Sequence, residues 1–215
     1  PETAIPTSCG YVVHEEAIWP LENYHQVLVY MGRHLVTGGA GFIGSNIARA
    51  LIASGHEVVV LDNLETGYPD NLPPGITFVD TDISSPEGLK SIPDLAFDSV
   101  FHLAAQSSGE ISHAEPRRDL NTNALGTLLL LEWSQAHDVS RFLYASSMAV
   151  YGLTEQVPVH EEQALDPYSF YGIAKQAAEQ YVRHYAKQGM KTTVFRMFNV
   201  YGPGQNLANL RQGMV

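Results

Sequence analysis

The stretch Leu35-Val36-Thr37-Gly38-Gly39-Ala40-Gly41-Phe42-Ile43-Gly44 constrains this chain more than any other. A short β-branched run ends in a glycine-rich turn, and an apolar helical pattern comes after it. Gly38, Gly41 and Gly44 make G-x-x-G-x-x-G, while Gly39, Gly41 and Gly44 also satisfy G-x-G-x-x-G. Such a turn lets the backbone approach a pyrophosphate. It also aims a helix N-terminus at it, where free N–H groups and the helix dipole favour an anion. Taken alone, the pattern is shared with ordinary strand-to-helix turns. The residues after the turn narrow it. A helix over 43–54 ends at Gly55, a strand over 57–61 comes next, and Asp62 stands at its end. An acid about 20 residues past the turn is placed to hydrogen-bond the ribose hydroxyls of an adenine dinucleotide. Asp62 repels a 2′-phosphate and no Arg follows it nearby, which favours NAD over NADP. The competing reading of Asp62 is a turn-starting residue before Asn63.

The chain has 215 residues, enough for one large domain or one and a part. Hydrophobic residues make up 45% and charged residues 16%, a balance that supports a core and argues against disorder. The net charge of −11 and only 12 Lys and Arg argue against nucleic acid as a partner, because phosphate binding needs clustered cations. The single cysteine, Cys9, has no intramolecular partner, which fits a reducing, cytoplasmic compartment. No apolar run reaches transmembrane length, so no membrane partner is expected. Residues 1–30 carry three prolines and neither helical nor alternating periodicity, and they lack the pattern of a signal peptide. They read as an atypical N-terminal segment, with the cofactor domain over 31–205.

From Arg33 onward, short β runs alternate with helical patterns. Strands are expected over 34–37, 57–61, 76–80, 99–103, 141–146 and 192–196, and helices over 43–54, 86–91, 120–137 and 171–188. The stretch 67–75 reads as an exposed loop. This alternation predicts an α/β fold, a Rossmann-type doubly wound parallel sheet with right-handed crossovers. Ligands in such sheets sit at the carboxyl ends of the strands, where Asp62, Asp82, Ala104, Ser146, Ser147 and Asn199 all fall.

Tyr171 and Lys175 lie four residues apart on the last helix and so share a face. An ammonium beside a phenol favours the phenolate, and a phenol tuned in this way can exchange a proton with a sugar hydroxyl. A serine at the end of the preceding strand can hydrogen-bond the same substrate oxygen. The bland alternatives are a Lys stem packed along a Tyr ring and a serine capping a turn.

At these residues the chain closely resembles the extended short-chain dehydrogenase/reductases, specifically nucleotide-sugar epimerases and dehydratases. The blocks that match are Thr37-Gly-Gly-Ala-Gly-Phe-Ile-Gly44, Asp62-Asn63, Asp82-Ile83, His102-Leu-Ala-Ala-Gln106, Asn123-x-x-Gly126-Thr127, Ser146-Ser-Met-Ala-Val-Tyr-Gly152, Tyr171-Gly-Ile-Ala-Lys175 and Phe198-Asn-Val-Tyr-Gly-Pro203. The resemblance implies that Gly38, Gly41, Phe42, Ile43 and Gly44 hold the NAD pyrophosphate, and that Asp62 and Asn63 take the adenosine ribose. It sets Asp82 and Ile83 beside adenine, and Ala104, Ala105 and Gln106 along the dinucleotide. Lys175 bridges the nicotinamide ribose and Tyr171, and Asn123 shapes the central helix and a proton-relay water. Ser147, rather than Ser146, is the catalytic serine, and Asn199 contacts the sugar or its diphosphate. No metal is implied.

The same resemblance sorts the reaction. Dehydratases of this family carry acidic residues just after the catalytic Ser/Thr. Here Met148-Ala149 stand there, and neither transfers a proton. The expectation is therefore NAD-dependent epimerisation of a nucleotide-diphosphate sugar, UDP-hexose at C4 being favoured. A sugar dehydrogenase-reductase or dehydratase, and a non-catalytic NAD-binding sensor, are the alternatives. Family members pair through two helices per subunit, which implies a homodimer through 120–137 and 171–188. Leu125, Leu128, Leu129, Leu131 and Trp133 give the first helix a broad apolar surface. The family's substrate domain comes after the Asn199 block, so the resemblance implies that 206–215 only begins it and that it is largely missing from this chain.

Overall fold

The computed structural model describes residues 31–154 and 157–206. The segment 1–30, and all of 206–215 except Asn206, lie outside the described residues. Among these residues, six strands form one sheet: β1 (Arg33–Thr37), β2 (Glu57–Asp62), β3 (Thr77–Asp80), β4 (Ser99–His102), β5 (Arg141–Ser147) and β6 (Lys191–Met197). All pairings are parallel and the spatial order is β3-β2-β1-β4-β5-β6. This is the expected doubly wound sheet, and each strand falls within two residues of its expected bounds. The chain builds outward from β1 to β3, then returns to the other side of β1 with β4. The reversal opens a crevice at the carboxyl ends of β1 and β4.

Both faces of the sheet are covered, so the strands are apolar on both sides. Leu35, Val59 and Val100 lie side by side in register and point to one face, with Phe142 and Tyr144 of β5 in the same core. Val36, Val58 and Val60 point to the other. The first face is packed by α5 (Gly126–Ala136) and α6 (Phe170–Lys187), through Leu130, Leu131, Ala178 and Val182. The second is packed by α1 (Phe42–Ala53) through Ala48, Ile47 and Leu51.

The structure differs from expectation between β4 and α5. Two short helices, α3 (Gly109–Ala114) and α4 (Pro116–Asp119), precede a π-helical turn over Leu120–Leu125 that runs into α5. Ser108 starts α3 by accepting the Ile111 amide at 3.3 Å, and Pro116 opens α4 where a missing N–H costs nothing. The apolar surface of the 120–137 stretch is narrower than its sequence implies. Leu130 and Leu131 are fully buried, and Trp133 packs on Phe97 at 5.9 Å, while Leu120 and Leu125 remain exposed. A short helix α2 (Pro86–Leu89) lies between β3 and β4, and a 3-10 turn over Pro69–Asn71 between β2 and β3.

Candidate active site

The glycine turn owes its composition to crowding on one side and openness on the other. Gly38 has φ +69°, and a Cβ there would lie 2.6 Å from the Ala104 amide nitrogen. A Cβ on Gly44 would lie 2.2 Å from the Gly38 carbonyl oxygen, so α1 starts flush against the end of β1. Gly41 caps α1 with no side chain on its free amides. Those amides face a cleft of about 770 Å³ lined by Gly38, Gly41, Phe42, Ile43 and Gly44.

At the end of β2, Asp62 Oδ2 accepts the Ala40 amide at 3.0 Å and Oδ1 the Leu64 amide at 2.9 Å. Burial pushes this carboxyl above its ordinary pKa, against the pull of those amides. Asn63, Asp82 and Ile83 line the same end of the cleft, with Asp82 Oδ1 holding the Ser84 amide at 2.8 Å. Ile83 also reaches down into the core and lies against Gly126.

Ala104, Ala105 and Gln106 form the wall beyond β4. Two buried networks hold this wall. His102 sits between Thr37 Oγ1 at 2.8 Å and Thr127 Oγ1 at 2.9 Å. Thr127 donates its hydroxyl to Asn123 O at 2.7 Å, so His102 Nε2 is the protonated nitrogen and Nδ1 accepts from Thr37. Thr37 Oγ1 in turn accepts the amides of Leu103 and Ala104 at 3.2 Å. Burial lowers the His102 pKa to about 3, so the ring is neutral and serves as a tie between β1, β4 and α5. Asn123 Oδ1 accepts the Gln106 amide and Asn123 Nδ2 donates to the Gln106 carbonyl, both at 2.9 Å. It stands behind the wall rather than among the residues lining the cleft, and its Nδ2 also reaches Asp119 Oδ1 at 3.1 Å.

Ser147 ends β5 and accepts the Ala149 amide at 3.2 Å, starting a 3-10 turn over Met148–Tyr151. Tyr171 opens α6, where its amide is held by Ser112 Oγ at 2.9 Å and the next amide by Ser169 Oγ at 3.0 Å. Gly172 lets α6 approach the 3-10 turn, because a Cβ there would lie 2.5 Å from the Ala149 carbonyl oxygen. Tyr171 and Ser147 both line the cleft. Lys175 is 2% exposed and donates to the Ala145 carbonyl at 2.9 Å, its Nζ lying 5.8 Å from the centre of the Tyr171 ring. Burial lowers its pKa to about 8, against the pull of Asp119 and Glu179.

The expectation that Lys175 lowers the phenol pKa is not met in this structure. Burial raises the Tyr171 pKa above its ordinary value, Ser147 pulls it down, and Asp119 raises it further. The Lys175 ammonium is turned to a backbone carbonyl rather than to the phenol oxygen. The two serines differ in their bonds: Ser146 Oγ donates to the buried Glu179 at 2.6 Å, whereas Ser147 Oγ accepts the Ala149 amide.

Asn199, beyond β6, lines the same cleft, and so does Arg118 of α4. Arg118 forms an ion pair with Glu65 of the loop after β2, so the fold brings an Arg to the acidic end of the cleft that the local sequence around Asp62 does not contain. Glu179 belongs to none of the sequence motifs, yet it braces the site. It is fully buried and bound by Arg196, whose Nη2 lies 2.9 Å from Oε2 and whose Nη1 donates to the Tyr151 hydroxyl at 3.0 Å. The pair clamps β6, α6 and the turn after Ser147 together. A carboxylate one helical turn after Lys175, on the same face, is the signal that could have found it.

The site's parts fit a dinucleotide. Uncapped helix amides lie mid-cleft, a carboxylate with two loop amides at one end, and a buried ammonium at the other. The NAD dependent epimerase/dehydratase family matches residues 34–214. A putative UDP-glucose 4-epimerase of Methanocaldococcus jannaschii is 39% identical over 174 residues, 80% of this chain and 57% of that protein. UDP-glucose 4-epimerase of Streptomyces lividans is 36% identical over 179 residues, 82% of this chain and 54% of that protein. The crystal structure of UDP-glucose 4-epimerase from Thermotoga maritima with UDP-glucose superposes with TM-score 0.80 at 42% identity, over 84% of this chain and 60% of that one. The Thermus thermophilus UDP-glucose 4-epimerase complex with NAD gives 0.77 at 40% identity, over 81% and 57%. The chain thus spans little more than half the length of these curated relatives.

Proposed function

The chain belongs to the NAD-dependent epimerase/dehydratase family, and from that premise we propose that the protein epimerises a nucleotide-diphosphate sugar, UDP-hexose at C4, through a 4-keto sugar. The observation that supports this most is the meeting of Ser147, Tyr171 and Lys175 at one end of a cleft whose other end carries Asp62. The Gly38–Gly44 turn and the α1 amides hold the pyrophosphate of NAD, Asp62 and Asn63 its adenosine ribose, and Lys175 its nicotinamide ribose. Bound NAD⁺ would supply a hydride acceptor for the sugar carbon, and return of the hydride to the opposite face of the 4-keto sugar would complete the epimerisation. Tyr171, as the phenolate, takes the proton of the sugar hydroxyl and gives it back, and Ser147, on the same stretch of cleft, orients that hydroxyl. Asn199 contacts the sugar diphosphate. Met148 and Ala149, next to Ser147, carry no proton, which supports epimerisation over loss of water.

The protein works, on this reading, as a homodimer in a reducing, cytoplasmic compartment. Leu125 is 40% exposed, Ile173 48% and Tyr181 37%, on neighbouring elements of one side. Among the described residues no helix is long and apolar enough to cross a membrane.

The test is turnover of UDP-glucose with epimer and NADH both followed. Epimer without net NADH is the expected result; steady accumulation of NADH would make the protein a dehydrogenase. Tyr171→Phe is expected to leave NAD bound and to cost about 10²–10⁴-fold in rate. Near-normal turnover of that variant would reject the assignment.

A further inference from the structure

In sequence, no Arg follows Asp62 nearby. The fold supplies one, by bringing Arg118 of α4 to the same cleft. Among the residues lining that cleft, Arg118 and Lys175 carry the positive charges, and Lys175 lies beside Tyr171. Arg118 is engaged. Its Nη2 forms an ion pair with Glu65 Oε1, and Glu65 also lines the cleft. Its Nη1 lies 3.8 Å from Glu115, just before α4, a residue outside the cleft lining. Both partners of the Arg118–Glu65 pair are held from behind. On the loop side, Asp62 Oδ1 accepts the Leu64 amide at 2.9 Å and Asn63 Oδ1 accepts the Glu65 amide at 3.2 Å. These two turns keep Glu65 close to Asp62. On the α4 side, the next residue, Asp119, is buried, and its Oδ1 accepts Gln106 Nε2 at 2.9 Å and Asn123 Nδ2 at 3.1 Å. Those bonds anchor the end of α4 to the cleft wall.

We propose that the Arg118–Glu65 pair sets cofactor selectivity at the ribose 2′ position: Glu65 holds the guanidinium that would otherwise take a 2′-phosphate, and so keeps the site for NAD⁺. A guanidinium suits a phosphate because its N–H groups can meet two oxygens at once. An Arg near the acid that ends β2 is the usual means by which folds of this type accommodate a 2′-phosphate. Here the guanidinium charge is offset by a carboxylate that shares the cleft. Asp62, Glu65 and Asp82 leave this end of the cleft negative even with Arg118 counted. A 2′-phosphate would have to displace Glu65 and then remain beside Asp62. A 2′-hydroxyl meets Asp62 and leaves the pair intact. Selectivity then has two parts: Asp62 receives the hydroxyl, and Glu65 withholds the cation. The inference rests on the reading that the adenosine ribose lies at Asp62.

Titration calorimetry with NAD⁺ and NADP⁺ tests it without turnover. In Glu65→Gln the affinity for NADP⁺ relative to NAD⁺ is expected to rise about tenfold, the scale of one charge-assisted hydrogen bond. Glu65→Ser carries the same expectation and removes the amide oxygen that could still hold the guanidinium. Adding Arg118→Gln to either variant is expected to abolish the gain. An unmoved ratio in both Glu65 variants overturns the proposal. So does a gain that survives the loss of Arg118, because it would then come from removing a negative charge rather than from freeing a cation. Asp62→Asn separates the proposal from the reading beneath it. Unchanged NAD⁺ affinity in that variant would place the adenosine elsewhere and overturn both. Weakened NAD⁺ binding in Asp62→Asn beside an unmoved ratio in the Glu65 variants would sink the selectivity proposal alone.

Discussion

Lys175 shows at the scale of one residue what a buried charge costs the fold. Its ammonium is buried against the Ala145 carbonyl, and burial brings its pKa from 10.5 to about 8. Below pH 8 the folded and unfolded chains both hold the proton, and the fold bears the whole cost of the buried charge. Between pH 8 and 10.5 the folded state releases it first, so this group's contribution to stability rises with pH across that window. At neutral pH the cost is on the order of 3 kcal/mol. Lys175→Met is therefore expected to raise stability at pH 7 by up to about 3 kcal/mol, and the gain should shrink above pH 8. Urea titrations at pH 7 and pH 10 check both points; a destabilised variant at pH 7 would show that the ammonium supports the fold. The sequence carried the spacing of Tyr171 and Lys175 and hence their shared face. It did not carry the direction of either pKa, because that depends on burial and on Asp119, Ser147 and Glu179, brought there from other elements.

At the scale of elements, the approach of α6 to the end of β5 makes the site. Ser147 caps its own 3-10 turn, and that turn's Ala149 carbonyl meets α6 at Gly172. The neighbouring positions of Tyr171 and Ser147 on the cleft depend on this closeness. In Gly172→Ala the new Cβ would sit 2.5 Å from a backbone oxygen, which forces the helix away. The expected cost is about 1–3 kcal/mol of stability. Turnover should fall further than NAD affinity, since Asp62 and the glycine turn lie on other elements. Thermal melts and NAD titration calorimetry separate the two effects, and equal losses in both would refute the argument. The strands and long helices were legible because buried parallel strands read as apolar runs and α1 and α6 have start and stop signals. The helices α3 and α4 were not, because four- and six-residue turns lack periodicity; only Ser108 and Pro116 mark them.

At the scale of the molecule, the reversal of strand order at β1 turns local motifs into one cleft. The proposed pairing of two chains belongs here too. Tyr181→Glu places a charge on the exposed side of α6, far along the helix from Tyr171, and is expected to yield a monomer by sedimentation where the unmutated chain is a dimer. An unmutated chain of monomeric mass would reject the pairing. The sequence by itself determined the fold class, the glycine turn between β1 and α1 and the identity of the acid at the end of β2. These depend on periodicity, on the absence of a Cβ and on order along the chain, all of which are local. Only the tertiary structure decided that Asn123 bonds the wall at Gln106, that Ser146 bonds Glu179, that Arg118 meets Glu65, and that one buried Asp119 oxygen has no hydrogen-bond partner among the described residues. The physical reason is that hydrogen-bond partners and desolvation are set by which elements share the interior, and sequence spacing does not encode that.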